Sequence, residues 1–124
     1  MNVVDSSAWL EYFANGPNAR FFAPAIENTN ELIVPTLALY EVFKRVLQQT
    51  DESKALQAVA TMQQGTVVDL IPPIALSAAR ISLDHGLPMA DSVMLATTRA
   101  YDATLWTQDE DFKGIDGVRY RKRK

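Results

Sequence analysis

Short β-rich runs alternate with longer helical segments along the chain, and this alternation limits the fold more than any other feature of the sequence. The runs that indicate strands occupy residues 2–5, 32–34, 66–71 and 104–107, with a possible fifth strand at 118–121. The segments between them predict helices over residues 7–14, 20–27, 37–49 with Thr36 as the cap, 51–64, 72–85 and 88–101. Strands separated by helices predict an α/β fold, with a mainly parallel sheet of four to five strands covered on both faces.

Length and composition indicate one globular domain over residues 1–124, with 48% hydrophobic and 22% charged residues. The chain has no cysteine and one histidine, His85, which we interpret as the end of a helix. These counts exclude a disulfide framework, a thiolate nucleophile and a zinc site built from several Cys or His ligands. The sequence shows no targeting leader and no apolar run of about 20 residues, so we expect a cytoplasmic protein without membrane contact.

Charge is distributed unevenly along the chain. The net charge is −3, but five of the twelve basic side chains lie in Arg119–Lys124, so residues 1–118 carry seven basic and fifteen acidic side chains. An acidic body repels nucleic acid unless a bound cation offsets the repulsion. The basic tail could contact RNA or an acidic partner, or could stay disordered in solvent.

Four acidic residues from distant parts of the chain are predicted to meet at one edge of the sheet. Ligands of parallel sheets bind beyond the carboxyl ends of the strands. Asp5 ends the first strand, Asp109 follows the fourth strand at Thr107, and Glu41 and Asp91 lie near the starts of helices that begin at this edge. Taken singly, Asp5, Asp91 and Asp109 are also typical of helix and turn capping, and Glu41 of a solvated helix face.

Taken together, the acids predict a divalent cation. Two carboxylates about 4 Å apart repel by about 4 kcal/mol at an effective dielectric constant near 20. Such a group is partly protonated, or splayed apart, unless a cation lies among its members. Because the ligands are oxygens only, the expected ion is Mg²⁺ or Mn²⁺.

Several motifs resemble those of the PIN-domain nucleases and, among them, the VapC toxins of VapBC toxin–antitoxin modules. The resemblance covers essentially the whole chain. It rests on Val4-Asp5-Ser6-Ser7, on Glu41 in the third helix, on Leu87-Pro88-Met89-Ala90-Asp91, and on the segment from Leu105 to Phe112. Leu95 and Trp106 are bulkier than the residues usual at those places, and we interpret both as changes in packing.

The resemblance implies a three-layer α/β/α sandwich in which the first and fourth strands are neighbours. It also implies roles for particular side chains. The expected catalytic acids are Asp5, Glu41, Asp91 and Asp109, the expected metal ligands are Asp5, Asp91 and Asp109, and the expected accessory groups are Ser6, Ser7, Thr107 and Asp111.

The implied activity is that of a Mg²⁺- or Mn²⁺-dependent endoribonuclease that hydrolyses RNA phosphodiester bonds and leaves 5′-phosphate and 3′-hydroxyl ends. The implied partners are the RNA substrate, a small VapB-like antitoxin whose arm blocks the cleft, and a second copy of the chain in a homodimer. Lys44 and Arg45, one turn beyond Glu41, are weak candidates for contacts with RNA phosphates.

Two other functions stay open at this stage. A receiver-type signalling domain also has a Mg²⁺-binding acidic pocket, but it requires a phospho-acceptor Asp at the end of the third strand, and Asp69 lies inside that predicted strand. A catalytically silent PIN-like binding module would keep the same acids without cleaving RNA.

The aromatic residues near the N-terminus allow two interpretations. They either complete the core or remain exposed to meet a partner. They are Trp9, Tyr12, Phe13, Phe21 and Phe22.

Overall fold

A computed structural model describes all residues from Met1 to Lys124. It contains one five-stranded sheet in the order β3-β2-β1-β4-β5, and every neighbouring pair of strands is parallel. The strands are β1 (Asn2–Val4), β2 (Leu32–Pro35), β3 (Thr66–Val68), β4 (Thr104–Thr107) and β5 (Val118–Tyr120). The predicted α/β class and the parallel sheet are confirmed.

Six α-helices connect the strands, and two short 3₁₀ turns cover Thr29–Glu31 and Glu110–Phe112. Because crossovers between parallel strands are right-handed, α1 to α4 cover one face of the sheet and α5 and α6 the other. The helices are α1 (Ser6–Phe13), α2 (Ala19–Glu27), α3 (Thr36–Gln49), α4 (Glu52–Met62), α5 (Pro72–His85) and α6 (Met89–Ala100). None of them has both the length and the apolar character that a bilayer crossing requires.

The third strand is shorter than the predicted run of residues 66–71. β3 lies at the edge of the sheet, pairs only with β2, and ends at Val68, which is opposite Pro35, the last residue of β2. No partner strand extends beyond this point, so residues 69–71 lead directly into α5. The start of α3 also differs, because Thr36 is its first residue and Pro35, not a hydroxyl side chain, precedes it as the cap.

The strand order creates a switch point between β1 and β4. From β1 the chain moves outward through β2 and β3, and then returns to the other side of β1 for β4 and β5. The backbone N–H of Asp5 donates to the Trp106 carbonyl at 2.9 Å, which extends the pairing of β1 with β4 to the last residue before α1. A crevice at such a point is where open α/β sheets bind ligands.

Two of the five N-terminal aromatic side chains belong fully to the core. Trp9 and Phe22 are buried, while Tyr12, Phe13 and Phe21 are partly buried and pack against the core. The interpretation that these residues are exposed to a partner is therefore wrong for Trp9 and Phe22. They fill the space where α1 and α2 pack on each other and on the sheet.

The basic C-terminal segment begins inside the sheet. Arg119 belongs to β5, and its guanidinium lies 4.3 Å from the ring centre of Trp106. Arg121 lies 4.4 Å from the ring centre of Phe21, and its backbone N–H donates to the Thr107 carbonyl at 3.0 Å. Such stacking of cations on aromatic faces contributes about 0.5–1 kcal/mol each at exposed sites and holds the segment against β4.

Candidate functional site

An open cleft of about 520 Å³ lies at the carboxyl edge of β1 and β4. The four predicted catalytic acids all line it, although they come from the end of β1, from α3, from α6 and from the turn after β4. They are Asp5, Glu41, Asp91 and Asp109. The structure thus brings together side chains that are up to 104 positions apart in sequence.

Asp5 is held by three donors on a single carboxylate oxygen. Its Oδ2 accepts hydrogen bonds from Ser7 Oγ at 2.7 Å, Ser7 N at 3.4 Å and Thr107 Oγ1 at 3.0 Å. The residue is only 4% exposed, and burial raises its pKa, although the hydrogen bonds from Ser7 and Thr107 act in the opposite direction. The second oxygen, Oδ1, accepts no hydrogen bond from the protein and is free to bind a cation.

Thr107 links the ends of β1 and β4. Its hydroxyl donates to Asp5 and accepts a hydrogen bond from the backbone N–H of Asp109 at 2.9 Å. Asp109 in turn caps the short turn Glu110–Phe112, because its Oδ1 accepts from the Asp111 N–H at 3.0 Å. Asp109 therefore caps a turn, as expected of an isolated Asp, and also lines the cleft.

Glu41 lies in the second turn of α3 and is oriented by a hydroxyl from α1. Ser6 Oγ donates to Glu41 Oε1 at 2.7 Å. Burial raises the pKa of Glu41, and the negative charges of Asp5 and Asp109 raise it further, against the effect of the Ser6 hydrogen bond. The carboxylate therefore lies within electrostatic reach of both aspartates.

Asp91, near the start of α6, also has a raised pKa. Burial, followed by the charges of Asp109, Asp5 and Asp111, raises its pKa from 3.8 to about 7. One carboxylate oxygen from each of Asp91, Asp109 and Asp111 lies within 4.8 Å of the others. This group differs from the expected ligand set, because Asp111 takes part in it, while Asp5 faces it from the end of β1.

The acidic cluster has no positive partner within the protein. The one ion pair in the structure joins the Met1 amino group to Glu31 at 3.4 Å, outside the cleft. The cluster offers oxygen donors alone, and none of its acids forms an ion pair with Lys or Arg. This donor chemistry fits Mg²⁺ or Mn²⁺, and Asp91, Asp109, Asp111 and Asp5 are the residues that would hold the ion.

Residues 3–118 match the sequence model of the PIN domain. This chain belongs to the PIN-domain family. A search of curated protein sequences found no match.

Solved structures share the PIN-domain fold at low sequence identity. A chain of a toxin–antitoxin complex from Klebsiella pneumoniae is 20% identical, with a TM-score of 0.79 and 96% of each chain covered. VapC20 from Mycobacterium tuberculosis, described as a toxin that cleaves the sarcin–ricin loop, is 14% identical, with a TM-score of 0.77 and coverage of 94% of this chain and 95% of that one. A chain of DNA-bound VapBC from Salmonella typhimurium is also 14% identical, with a TM-score of 0.75 and coverage of 98% and 96%. At these identities the similarity shows the fold alone.

The two basic residues proposed near Glu41 have different positions in this PIN domain. Arg45 lines the cleft. Lys44 does not line it, and its ammonium lies 5.7 Å from the ring centre of Tyr40. The helical repeat explains the difference, because adjacent residues on a helix point about 100° apart, and only Arg45 follows Glu41 by four positions.

Sequence reasoning missed a set of polar residues at one side of the cleft. Asn18 and Gln108 are 2% and 4% exposed, and Asn18 Nδ2 donates to Gln108 Oε1 at 3.1 Å. Glu11 accepts from the Asn18 N–H at 2.7 Å and lines the cleft, as does Arg123 from the C-terminal segment. Gln108 lies within the Leu105–Phe112 motif, but no role was predicted for it, and Glu11, Asn18 and Arg123 lie outside the motifs. Asn18 and Gln108 are 90 positions apart in sequence, so only the fold reveals their contact.

Proposed function

We propose that this PIN domain is a Mg²⁺- or Mn²⁺-dependent endoribonuclease that hydrolyses RNA phosphodiester bonds and acts as the toxin of a toxin–antitoxin pair. The observation that carries the proposal is the cleft itself, in which carboxylates from four separate elements converge and none of them forms an ion pair with Lys or Arg. The fold is shared with chains from toxin–antitoxin complexes and with a toxin described as cleaving an RNA loop, which supports this choice of substrate and context.

The proposed roles follow from the contacts of each side chain. Asp91, Asp109 and Asp111 would hold the cation together with Asp5, which faces them from the end of β1. A divalent ion in such a site lowers the pKa of a water molecule and stabilises the negative charge that develops on the phosphodiester. Ser7 and Thr107 keep Asp5 in one orientation by donating to its Oδ2, which leaves Oδ1 available.

Glu41 has the geometry of a residue that orients a water molecule. Its Oε1 accepts from Ser6, so its second oxygen remains available to accept a hydrogen bond from a water in the cleft. No side-chain nucleophile is required.

The order of the strands argues against the receiver-type alternative. Receiver domains of the CheY kind have the order 2-1-3-4-5, whereas this sheet has the order β3-β2-β1-β4-β5. Asp69, the nearest acid to the required phospho-acceptor position, follows β3, which is an edge strand here and not one that borders the cleft. The silent PIN-like module remains as the alternative that the experiment must exclude.

A small VapB-like antitoxin and a homodimer complete the proposal. The antitoxin is supported by the toxin–antitoxin complexes that share the fold. For the homodimer we point to Leu76 and Leu83, which lie seven residues apart on α5 and are 74% and 87% exposed, since exposed leucines at this spacing form one face of a helix. Light scattering on the isolated chain measures its mass. Cytoplasmic location stays a prediction.

The decisive experiment is cleavage of a fluorescein-labelled RNA hairpin in Mg²⁺, in Mn²⁺ and in EDTA, with the product ends identified by mass spectrometry. We expect cleavage only with metal, 5′-phosphate ends, and losses of at least about 100-fold for Asp5→Asn and Asp91→Asn. Asp116→Asn, an exposed acid outside the cleft, is the matched control.

Two outcomes contradict the proposal. If Asp5→Asn and Asp91→Asn cleave as fast as the parent chain, the cleft is not the active site. If the parent chain binds Mn²⁺ in calorimetry but does not cleave the RNA hairpin, the silent binding module is the correct interpretation.

A further inference from the structure

Two arginines from opposite ends of the chain line the acidic cleft. Arg45 comes from α3 and Arg123 from the segment after β5, and they are the only basic side chains that line it. Neither forms an ion pair with the acids beside it, because the one ion pair of the protein lies elsewhere, between Met1 and Glu31. Their positive charges are therefore not used inside the protein and remain available to an anion from solution.

Arg45 is held in place by a neutral acceptor. With the side-chain amide of Gln49 turned so that its oxygen faces the guanidinium, both Nε and Nη2 of Arg45 donate to that oxygen at 3.2 Å. Gln49 also lines the cleft and lies one helical turn after Arg45. The contact orients the guanidinium without neutralising it.

Arg123 is brought to the cleft by a buried amide pair. Asn18 Nδ2 donates both to the backbone carbonyl of Lys122 at 3.0 Å and to Gln108 Oε1 at 3.1 Å. Gln108 is also the residue between Thr107 and Asp109, and its Nε2 donates to the Ser7 carbonyl at 3.4 Å. Hydrogen bonds of Asn18 and Gln108 thus connect the backbone at Lys122, immediately before Arg123, to the residues next to Thr107 and Asp109.

The two arginines belong to elements on different sides of the β1–β4 pair. α3 follows β2, which is the neighbour of β1, and the C-terminal segment follows β5, which is the neighbour of β4. The acids at the ends of β1 and β4 lie between them in sheet order. A phosphodiester chain that crosses the acidic cluster would therefore meet one arginine before it and one after it.

We infer that Arg45 and Arg123 bind the phosphate backbone of the RNA substrate on the two sides of the cleavage site. This inference rests on the proposed ribonuclease function and names the residues that offset the repulsion between RNA and the acidic body of the protein. Guanidinium groups suit this task because their planar donors match two phosphate oxygens. Phosphate contacts position a nucleic acid without reading its sequence, so both arginines act on all substrates alike.

The test measures RNA binding and RNA cleavage with the same labelled hairpin. Binding is followed by fluorescence anisotropy over a range of salt concentrations, with Ca²⁺ in place of Mg²⁺, and cleavage is followed with Mn²⁺. The variants are Arg45→Gln, Arg123→Gln and the double variant. Arg99→Gln, in the last turn of α6 and far from the end that carries Asp91, is the control.

We expect each variant to reduce the slope of log affinity against log salt by about 0.7 to 1, and the double variant by about twice that amount. KM should rise by about tenfold for each variant while kcat stays within about threefold of the parent value. Arg45→Lys and Arg123→Lys should retain the salt slope, because they keep the charge. A merely structural role would lower the melting temperature and leave the slope unchanged.

The inference is wrong if Arg45→Gln and Arg123→Gln bind and cleave the hairpin as the parent chain and Arg99→Gln do. It is also wrong if Lys44→Gln reduces the slope as much as Arg45→Gln, since general charge and not the cleft would then be responsible. If the parent chain itself neither binds nor cleaves the hairpin, the proposed function fails and this inference falls with it. If the parent chain cleaves the hairpin and the arginine variants bind and cleave it equally well, the proposed function stands and this inference is wrong.

Discussion

The acidic cleft should make the metal-free protein less stable as the pH rises, and Asp91 should account for a measurable part of that loss. Its pKa is raised from 3.8 to about 7 by burial and by the charges of Asp109, Asp5 and Asp111. Between these pH values the folded protein holds a proton on Asp91 that the unfolded chain releases. The free energy of unfolding therefore falls as the pH rises through this window, and the loss is complete above the pKa of the folded state.

The size of the effect follows from the shift and from the exposure of the side chain. A shift of about three units corresponds to about 4 kcal/mol at 1.36 kcal/mol per unit. Asp91 is only partly buried, so screening by solvent reduces the expected contribution to about 1–2 kcal/mol. Its place in the first turn of α6 favours the ionised form by about 0.3–1 kcal/mol, which reduces the penalty but does not reverse it.

The assay is urea unfolding of the parent chain and of Asp91→Asn in EDTA, at about pH 4 and at about pH 8. The two proteins should be equally stable at the lower pH, and the variant should be more stable by about 1–2 kcal/mol at the higher pH. Mg²⁺ at about 100 times its Kd should raise the stability of the parent chain by about 2.7 kcal/mol at pH 8 and should not raise that of the variant. Equal stability at both pH values, or a variant less stable at pH 8 without metal, would refute the reasoning.

Three further substitutions test contacts around the cleft and in the core. Thr107→Val removes the hydroxyl that joins the ends of β1 and β4. We expect the free energy of unfolding in urea to fall by about 1–3 kcal/mol and kcat to fall at least tenfold. Thr104→Val, at the other end of β4, is the control. Trp9→Phe should lower the free energy of unfolding by less than about 1 kcal/mol, because the indole N–H is buried without a partner, whereas Trp9→Ala should lower it by about 3–5 kcal/mol. If the two substitutions lower the stability equally, the indole N–H does have a hydrogen-bond partner. Asn18→Ala should increase hydrogen exchange at the Arg121 N–H, which donates to the Thr107 carbonyl, while exchange in α5 stays unchanged. Unchanged exchange in both would show that the amide does not hold the segment.

The positions of the acids could be predicted from the sequence because they depend on local signals. Asp5 directly follows an apolar run, Asp91 lies three residues after the proline that precedes α6, and Asp109 follows β4 by two residues. Each signal fixes where an acid stands on its own element, and parallel strands bring the carboxyl ends to one edge. The strand order, which decides that β1 and β4 are adjacent, came only from the family resemblance.

The resemblance implied accessory roles for Ser6, Ser7 and Thr107, but the individual contacts that orient the acids could not be predicted from local signals. Thr107 Oγ1 reaches Asp5 across 102 positions, and Asn18 reaches Gln108 across 90. Hydrogen bonds between residues so far apart in sequence depend on the exact packing of the helices against the sheet. No periodicity in the sequence encodes that packing. The end of β3 at Val68 was mispredicted for a related reason, since apolar residues continue beyond the point where the partner strand stops.

Several charged side chains of the cleft have neutral partners. Asp5 accepts from the hydroxyls of Ser7 and Thr107, and Arg45 donates to Gln49 when the amide oxygen faces the guanidinium. A protein that needed these charges only for its own stability would pair them with one another, because an ion pair with hydrogen bonds satisfies both groups at once. Because the acids and the arginines of this cleft are not paired, the acids remain available to a cation and the arginines to an anion. A metal-dependent nuclease binds both, the metal ion and the phosphate groups of its substrate.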